Sequence, residues 1–251
     1  MTGDDHALAR DLAEQAGRRL AGLRARGGDP DVLRKTGDRL SHEFLTAALA
    51  DRRPGDVVLS EEGADHPARL GAQRVWIVDP LDGTREFGEP GRTDWAVHVA
   101  LWEQGALVAG AVALPAQDRV LSTLEPAPAP DDSGASGRIR IVVSRTRAPG
   151  FVRNISGLIG ADLVPMGSAG AKVAAVIGGE VDAYVHGGGF YEWDTAAPVA
   201  VARAAGFHAS RIDGSALAYN QADLLMPDIL VCRPAIAGVL LEAIREVTNA
   251  P

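Results

Sequence analysis

The stretch RVWIVDPLDGTREF, residues 74–87, is the strongest indication of how this chain folds. An apolar strand over 75–78 runs directly into a turn that carries Asp79 and Asp82. Pro80 fixes its φ at about −65°, and Gly83 permits backbone conformations that other residues avoid. The turn is therefore expected to hold both carboxylates at one end of a sheet. Two anions so close repel each other unless a cation lies between them or one takes a proton, and a hard divalent metal with oxygen ligands meets that need.

Composition and charge narrow the classes of protein to which the chain can belong. It has 251 residues, 46% hydrophobic and 23% charged, which is enough for one large domain or two modest ones. A formal net charge of −8 argues against a general nucleic-acid-binding surface. No apolar run reaches the roughly 18 residues of a membrane span, and the acidic N-terminus lacks the basic start of a secretory signal. We therefore expect no membrane partner. The single cysteine, Cys232, cannot form an internal disulfide, which fits the expected cytoplasmic location.

Hydrophobic periodicity predicts two halves of different character. The first half is expected to be α+β, with helices over 5–24 and from about Asp38, and strands over 56–60, 75–78, 95–102, 106–114 and 119–124. The second half alternates strands with helices, which indicates layered α/β packing. Its predicted elements are strands over 139–143, 181–185 and 229–232, and helices over 148–159, 168–177, 194–205 and 235–247.

The segment PAPAPDDSGASG, residues 126–137, has the composition of a surface linker or a mobile loop. We place the boundary between the two halves there. The first half, with the acidic turn, is expected to span 1–128, and the second half, which completes the site, 138–251.

Carboxylates recur at the ends of the predicted elements. Each alone has an ordinary explanation, because an aspartate at a helix start is most often an N-cap and Asp, Pro and Gly are the usual residues of a turn. Their arrangement around one strand and its turn favours a shared site instead. The carboxylates are Asp38, Glu61, Asp79, Asp82 and Asp194.

Three segments resemble signatures of the inositol monophosphatase-like family, in the same order along nearly the whole chain. They are LSEE at 59–62, WIVDPLDGT at 76–84 and WDTAA at 193–197. Within the family the sequence is most similar to the CysQ type, the 3′(2′),5′-bisphosphate nucleotidases, and to its actinobacterial members. The segments that carry this likeness are TREF at 84–87, GRTDWAVH at 91–98, GSAGAK at 167–172 and EWDTAAP at 192–198.

The resemblance implies both a fold and a cofactor. The fold is a layered αβαβα sandwich of the sugar-phosphatase type, and the activity is that of a magnesium-dependent, lithium-sensitive phosphomonoesterase. Carried over by position, Glu61, Asp79 and the carbonyl of Leu81 would bind one Mg²⁺, and Asp79, Asp82 and Asp194 a second. A third, weaker ion would use Glu61 and solvent. Two such ions can clamp a phosphoryl group and activate a water for attack.

The same resemblance assigns the catalytic pair. Thr84 matches the family threonine that, with the aspartate matching Asp38, orients and deprotonates the attacking water. The backbone amides of Gly83 and Thr84 would cradle the phosphate. The upstream segment Lys35-Thr-Gly-Asp38 is shorter than the usual family pattern, which leaves the region of the third metal open.

Residues of the second half are expected to bind the substrate. Ser168 and Lys172 match the serine and lysine with which the nucleotidases hold a phosphate, and Asp194 would contribute as well. The alternative for Lys172 is a solvated helix lysine. Ser144, followed by Arg145, could contact a second phosphate or belong to a plain loop. Tyr219 and Asn220 are a further candidate for the base pocket.

The leading hypothesis is an enzyme that hydrolyses the 3′-phosphate of adenosine 3′,5′-bisphosphate (PAP), or of its sulfated form PAPS, to release phosphate in sulfur assimilation. A broader inositol monophosphatase or fructose-1,6-bisphosphatase activity is the alternative within the family. The loop 186–194 lacks the acidic residue that inositol phosphatases use for a ring hydroxyl, which disfavours inositol phosphate. A small phosphorylated molecule is thus the expected partner. Members of the family resembled are commonly dimers, so the resemblance allows a homodimer, but the sequence pattern does not fix the assembly.

Two other classes fit the motif less well. Phosphoaspartate phosphatases have an Asp-x-Asp-x-Thr motif, whereas here the aspartates are three residues apart across Pro80. An inactive relic would not be expected to keep all five carboxylates and Thr84. The histidines show no zinc-binding spacing, and His98, among small apolar residues of a strand, is expected to be a core histidine.

Overall fold

The fold was analysed in a computed structural model, which describes residues 3–130, 137–146 and 148–249. The first half contains helices α1 (Gly3–Ala25), α2 (Pro30–Arg52) and α3 (Thr84–Gly88), and strands β1 (Val57–Ser60), β2 (Arg74–Asp82), β3 (Ala96–Glu103), β4 (Ala106–Leu114) and β5 (Arg119–Ser122). These strands form one sheet in the order β1-β2-β3-β4-β5. Only the β1–β2 pair among them is parallel.

The second half contains helices α4 (Gly150–Ile159), α5 (Ala169–Ile177), α6 (Glu192–Ala204) and α7 (Pro234–Asn249). Its strands are β6 (Arg140–Ser144), β7 (Asp162–Met166), β8 (Ala183–His186), β9 (Phe190–Tyr191), β10 (His208–Ser210), β11 (Leu225–Met226) and β12 (Ile229–Cys232). Five of them form a second mixed sheet in the order β10-β12-β8-β6-β7, and β9 pairs with β11. Short 3₁₀ helices lie at Pro67–Gly71 and Pro115–Gln117.

Three apolar clusters join these elements into five layers. The side chains of β2 alternate between two of the clusters: Trp76 and Val78 pack with α1 and α2, whereas Val75 and Ile77 face α5 and α6. Both faces of the strand are therefore covered, which explains its continuous apolar run. The opposite side of the second sheet packs against α4 and α7. The predicted αβαβα sandwich is confirmed, with α5 and α6 as the layer between the sheets.

Helix α2 begins at Pro30, eight residues before the predicted start near Asp38. The carboxylate of Asp29 caps it by accepting the backbone N–H groups of Asp31 and Val32, at 2.9 and 3.1 Å. Asp-Pro is thus the start of this helix rather than a break before it, because proline is well tolerated in a first helical turn. Asp38 is consequently an interior helix residue, and its interpretation as an N-cap is wrong.

The predicted acidic turn is a bulge within a longer strand. Strand β2 extends through Asp82, and its register against β3 shifts between the pairs Asp79–His98 and Asp82–Ala96. Proline interrupts the ladder because it has no N–H to donate, so the chain bulges there and then resumes pairing. The bulge keeps Asp79 and Asp82 beside the same neighbouring strand.

Four short strands, β7, β9, β10 and β11, were not predicted. Strand β7 contains Pro165 and lies at the edge of the second sheet, where a proline is tolerated but hides the pattern. Strands β9 and β11 have two residues each, too few to show an alternation.

The first sheet is formed by residues before the predicted linker, and the second sheet by residues after it. Residues 131–136 of this linker lie outside the described residues. The division into 1–128 and 138–251 stays a prediction. Within the described residues, no helix has both the length and the apolar character needed to cross a membrane.

Candidate active site

Three buried or half-buried carboxylates converge between the two sheets. Ligand oxygens of Asp79, Asp82 and Asp194 all lie within 4.8 Å of one another. The first two come from the bulge in β2, and Asp194 lies in the first turn of α6, where it accepts the N–H of Tyr191 at 2.6 Å. Glu61 directly follows β1, and its N–H reaches the carbonyl of Val78 on β2 at 3.4 Å. Because β1 and β2 are parallel, their carboxyl ends bring Glu61 and Asp79 together.

The neighbouring cationic groups do not neutralise these carboxylates, because the pKa values of Glu61, Asp79 and Asp194 are raised. Burial, and then the charge of Glu61, raises the pKa of Asp79 well above its usual value. Burial, followed by the charge of Asp194, raises the pKa of Glu61 to about 7. Burial and Asp82 raise the pKa of Asp194 to about 6. Such a set of oxygen donors either retains protons or binds a hard divalent cation, so its chemistry fits Mg²⁺.

Asp82 differs from its neighbours in being stabilised as an anion. Burial acts to raise its pKa, but His98, Lys172 and Ser168 outweigh burial and the pKa is lowered. Its Oδ2 accepts the Ser168 hydroxyl at 2.5 Å and the Gly170 N–H at 2.8 Å. The start of α5 therefore holds one metal-ligand candidate in place across the gap between the two halves.

His98 is fully buried, as a core histidine should be, but it also supports the site. Its Nε2 lies 3.2 Å from Oδ2 of Asp82. Its Nδ1 lies 3.2 Å from the carbonyl of Trp193, next to Asp194. A Cβ on Gly170 would come within 2.2 Å of Nε2, so only glycine leaves room for the ring.

Thr84 and Asp38 meet beside the cluster. The Thr84 hydroxyl lies 2.9 Å from the carbonyl of Leu81 and 3.4 Å from Oδ1 of Asp38. Burial, and then the charge of Glu62, raises the pKa of Asp38 to about 7. A carboxylate with that pKa is suited to take a proton near neutral pH. Asp38 thus reaches the site from the interior of α2 and not from its start.

Gly83 makes the turn into α3 possible. It has φ of 80°, and a Cβ there would meet the carbonyl of Asp94 at 3.0 Å and the Cβ of Ser168 at 3.1 Å. A larger residue would be both strained and crowded. The glycine therefore allows the backbone of the bulge to approach α5 closely.

A cavity of about 220 Å³ opens beside the carboxylates. The predicted substrate residues Ser144, Ser168, Lys172 and Asp194 all line it. Lys172 is only 5% exposed, so its interpretation as a solvated helix lysine is wrong. Its Nζ donates to the carbonyl of Ser168 at 2.7 Å and lies 5.1 Å from the centre of the Tyr184 ring. The Ser168 hydroxyl is bound to Asp82, and the direct contact of Ser168 and Lys172 with substrate stays a prediction.

Sequence reasoning missed Arg85 and Phe190, which also line the cavity. Arg85 lies inside the TREF segment, and its cationic side chain directly after Thr84 could have identified it as a candidate site residue. Phe190 follows three glycines and packs edge-on against His186, with ring centres 5.1 Å apart. Nothing in the sequence pattern alone distinguishes it from a core aromatic residue.

Tyr219 and Asn220 do not line this cavity, so their placement in a base pocket is wrong. The Tyr219 hydroxyl donates to Thr195 at 3.2 Å, within the core. Asn220 accepts from the buried guanidinium of Arg69 at 2.9 Å, and its N–H donates to Glu192 at 2.6 Å. These contacts join the segment after Glu61 to the start of α6, and so help to hold Glu61 and Asp194 in place.

Comparison with known proteins gives consistent likenesses. The model of the inositol monophosphatase family matches residues 9–249. The 3′-phosphoadenosine 5′-phosphate phosphatase of Mycobacterium leprae is 50% identical over 255 residues, covering 97% of this chain and 94% of that protein. The 3′(2′),5′-bisphosphate nucleotidase CysQ of Escherichia coli is 31% identical over 194 residues, covering 73% and 78%. The crystal structure of CysQ from Bacteroides thetaiotaomicron superposes with a TM-score of 0.79 at 28% identity, covering 92% and 97%.

Proposed function

The chain belongs to the inositol monophosphatase family, and from that premise we propose that it hydrolyses the 3′-phosphate of adenosine 3′,5′-bisphosphate with Mg²⁺ as its cofactor. The observation that carries the proposal is the oxygen-donor cluster of Asp79, Asp82 and Asp194. It lies at one side of a cavity that is also lined by cationic side chains. The 50% identity to the phosphatase of M. leprae supports the choice of substrate.

The cofactor would be held by the carboxylates of Glu61, Asp79, Asp82 and Asp194, with the carbonyl of Leu81 as a further oxygen donor. When bound, Mg²⁺ supplies Lewis-acid chemistry, which neutralises phosphate charge and makes a water easier to deprotonate. The Asp82 anion is fixed for this task by α5, since Ser168 and Gly170 both bind its Oδ2.

A carboxylate of the protein accepts the proton of the attacking water. Asp38, paired with the Thr84 hydroxyl at 3.4 Å, accepts a proton from the attacking water. The water oxygen forms a bond to phosphorus while the bond from phosphorus to the ribose O3′ breaks, and O3′ takes a proton from solvent. The products are adenosine 5′-monophosphate and inorganic phosphate. Gly83 and Thr84 line the cavity at the start of α3, where their backbone N–H groups would suit an anion.

Steady-state phosphate release tests this assignment. The kcat/KM for adenosine 3′,5′-bisphosphate is expected to exceed that for inositol 1-phosphate and fructose 1,6-bisphosphate by at least about tenfold, and chelation by EDTA should abolish turnover. A higher kcat/KM for inositol 1-phosphate would make the broader monophosphatase activity the better assignment. A trapped aspartyl-phosphate would exclude direct attack by water.

A further inference from the structure

We propose that Arg85 gives the enzyme its preference for substrates with two phosphates, by binding the phosphate that is not hydrolysed. This inference rests on the proposed function, because it names the group that recognises the second phosphate. Among the described residues, three cationic side chains line the cavity, namely Arg85, Arg145 and Lys172. Their contacts differ in a way that separates their roles.

Lys172 faces the carboxylates at the back of the cavity. It is almost wholly buried, its Nζ is bound to the carbonyl of Ser168, and its charge acts on Asp82 and Asp194. A phosphate that reached Lys172 would also be next to these metal-ligand candidates. Lys172 is therefore placed to act on the phosphate that is hydrolysed.

Arg145 is already neutralised. Its Nη2 donates to Oε1 of Glu86 and to Oε1 of Glu89, each at 2.8 Å, and its Nε donates to Glu86 at 3.1 Å. Glu86 is buried beneath Gly167, where a Cβ would come within 2.3 Å of its carboxyl carbon. Drawing Arg145 toward a ligand would leave the buried Glu86 without its partner, which is costly. Arg145 offsets the acidic side of the cavity and is a poor candidate for binding a second phosphate.

Arg85 has the opposite properties. It is exposed, lies directly after Thr84, and lines the same cavity. In the ranges that the structure describes, its guanidinium has no ion pair or hydrogen bond, so binding a ligand breaks no existing contact. A guanidinium suits phosphate because its parallel N–H groups can bind two oxygens at once. Arg85 directly follows the catalytic threonine and lines the same cavity, so a ligand that extends from Thr84 can also reach it.

The second phosphate needs such a cation. It carries about two negative charges and would enter a cavity that contains Asp82, Glu86 and Asp194. With Arg145 paired to two glutamates and Lys172 buried near the carboxylates, Arg85 is, among the described cationic residues around the cavity, the one left to offset this repulsion. A substrate without the second phosphate gains little from Arg85. The residue therefore increases selectivity for substrates with two phosphates and does not take part in the hydrolytic step.

The test compares Arg85→Ala with Arg153→Ala, an exposed arginine on α4 outside the cavity, using two substrates that share the same 3′-ester. For adenosine 3′,5′-bisphosphate, Arg85→Ala should lower kcat/KM by about tenfold or more, mainly through KM. For adenosine 3′-monophosphate the fall should be under about threefold, and Arg85→Lys should recover part of the preference. Arg153→Ala should match the unaltered enzyme on both.

Calorimetric binding of adenosine 5′-monophosphate to the Mg²⁺-loaded protein gives a second readout, with adenosine as the control ligand. Arg85→Ala should weaken binding of the nucleotide about tenfold and leave that of adenosine nearly unaltered. Equal losses for both substrates, or an unaltered Kd for the nucleotide, would overturn the role of Arg85. If the unaltered enzyme does not hydrolyse the bisphosphate at all, the proposed function fails, and nucleotide binding still decides on Arg85.

Discussion

Asp82 shows at the scale of single residues how the site is kept ready for a cation. Ser168 and Gly170 bind one of its oxygens, and His98 lies beside the same atom. These contacts favour the charged carboxylate over the protonated form, against the effect of burial. Groups that orient a metal ligand in this way commonly matter nearly as much as the ligand itself.

Replacing Asp82 by asparagine keeps the shape of the side chain but removes its charge. Asp82→Asn should lower phosphate release by at least about 100-fold, because a candidate metal ligand is lost, while the far-ultraviolet circular dichroism is retained. Asp118→Asn is the matched control, since Asp118 is exposed with φ of 49°, a conformation that asparagine tolerates. Unaltered turnover of Asp82→Asn would contradict the metal assignment.

Gly170 and Gly157 form a second matched pair, both within helices. Gly170→Ala should destabilise the protein by about 1–3 kcal/mol and weaken Mg²⁺ binding, since its Cβ would lie 2.2 Å from Nε2 of His98. Gly157 in α4 has no atom within 4 Å of an added Cβ, so Gly157→Ala should stabilise by about 0.5–1 kcal/mol. Urea unfolding and calorimetric Mg²⁺ titration measure both effects. Equal behaviour of the two variants would show that the crowding at His98 is unimportant.

At the scale of elements, the carboxylates come together because several elements end or bulge at one place. The parallel pair β1 and β2 delivers Glu61 and Asp79, the bulge adds Asp82, and the first turn of α6 brings Asp194. Asp38 arrives differently, from the interior of α2. The convergence concentrates negative charge around the buried carboxylates of Asp79 and Asp82, and this has a consequence for stability.

The free energy of unfolding of the metal-free protein should fall as pH rises from about 5 to 8. Glu61 and Asp38 have pKa values of about 7 in the folded protein, above their ordinary values of 4.5 and 3.8. The folded state therefore binds more protons than the unfolded chain, and stability present at low pH is lost as the pH passes through the folded pKa values. Bound Mg²⁺ offsets the repulsion, so the Tm difference between Mg²⁺ and EDTA should widen with pH.

Thermal unfolding at several pH values, with Mg²⁺ or EDTA, measures this difference. Glu61→Gln removes one of the titrating groups and should make the fall in the metal-free Tm less steep. A Tm difference that stays constant from pH 5 to 8, or narrows, would contradict the assignment of the cluster as a cation site.

At the scale of the whole molecule, the layer formed by α5 and α6 belongs to both sheets. Its apolar cluster contains Val75 and Val112 from the first sheet together with Val142 and Ile229 from the second. The first half cannot cover that face of its own sheet, because α5 and α6 both belong to the second half. The two halves defined by the predicted linker are therefore expected to be coupled in stability.

The intact chain should unfold in a single cooperative transition, and a fragment of residues 1–128 should not fold cooperatively alone. The fragment would leave the α5-facing side of its sheet in water, and large exposed apolar faces lead to association. Far- and near-ultraviolet circular dichroism of both proteins, with light scattering of the fragment, tests this. Two separated transitions in the intact chain would show that the halves are independent domains.

The chemistry of the site could be predicted from the sequence to a large extent. Asp79 and Asp82 lie three residues apart after an apolar strand, and close carboxylates require a cation whatever surrounds them. The five layers were predictable as well, because the likeness to a known family extends over nearly the whole chain. The start of α2 was not, because Asp29-Pro30 can either end or begin a helix.

Only the tertiary structure decided what lies next to these carboxylates. It brought His98 and Gly170 to Asp82 and buried Lys172. In the folded protein Tyr219 lies in the core, whereas Arg85 is exposed directly after Thr84. The physical reason is that a carboxylate's need for a cation is a property of the residue and its immediate neighbours. The burial of a lysine, the freedom of an arginine and the contacts of a histidine depend on chain segments that are far apart in sequence and meet only in the folded protein.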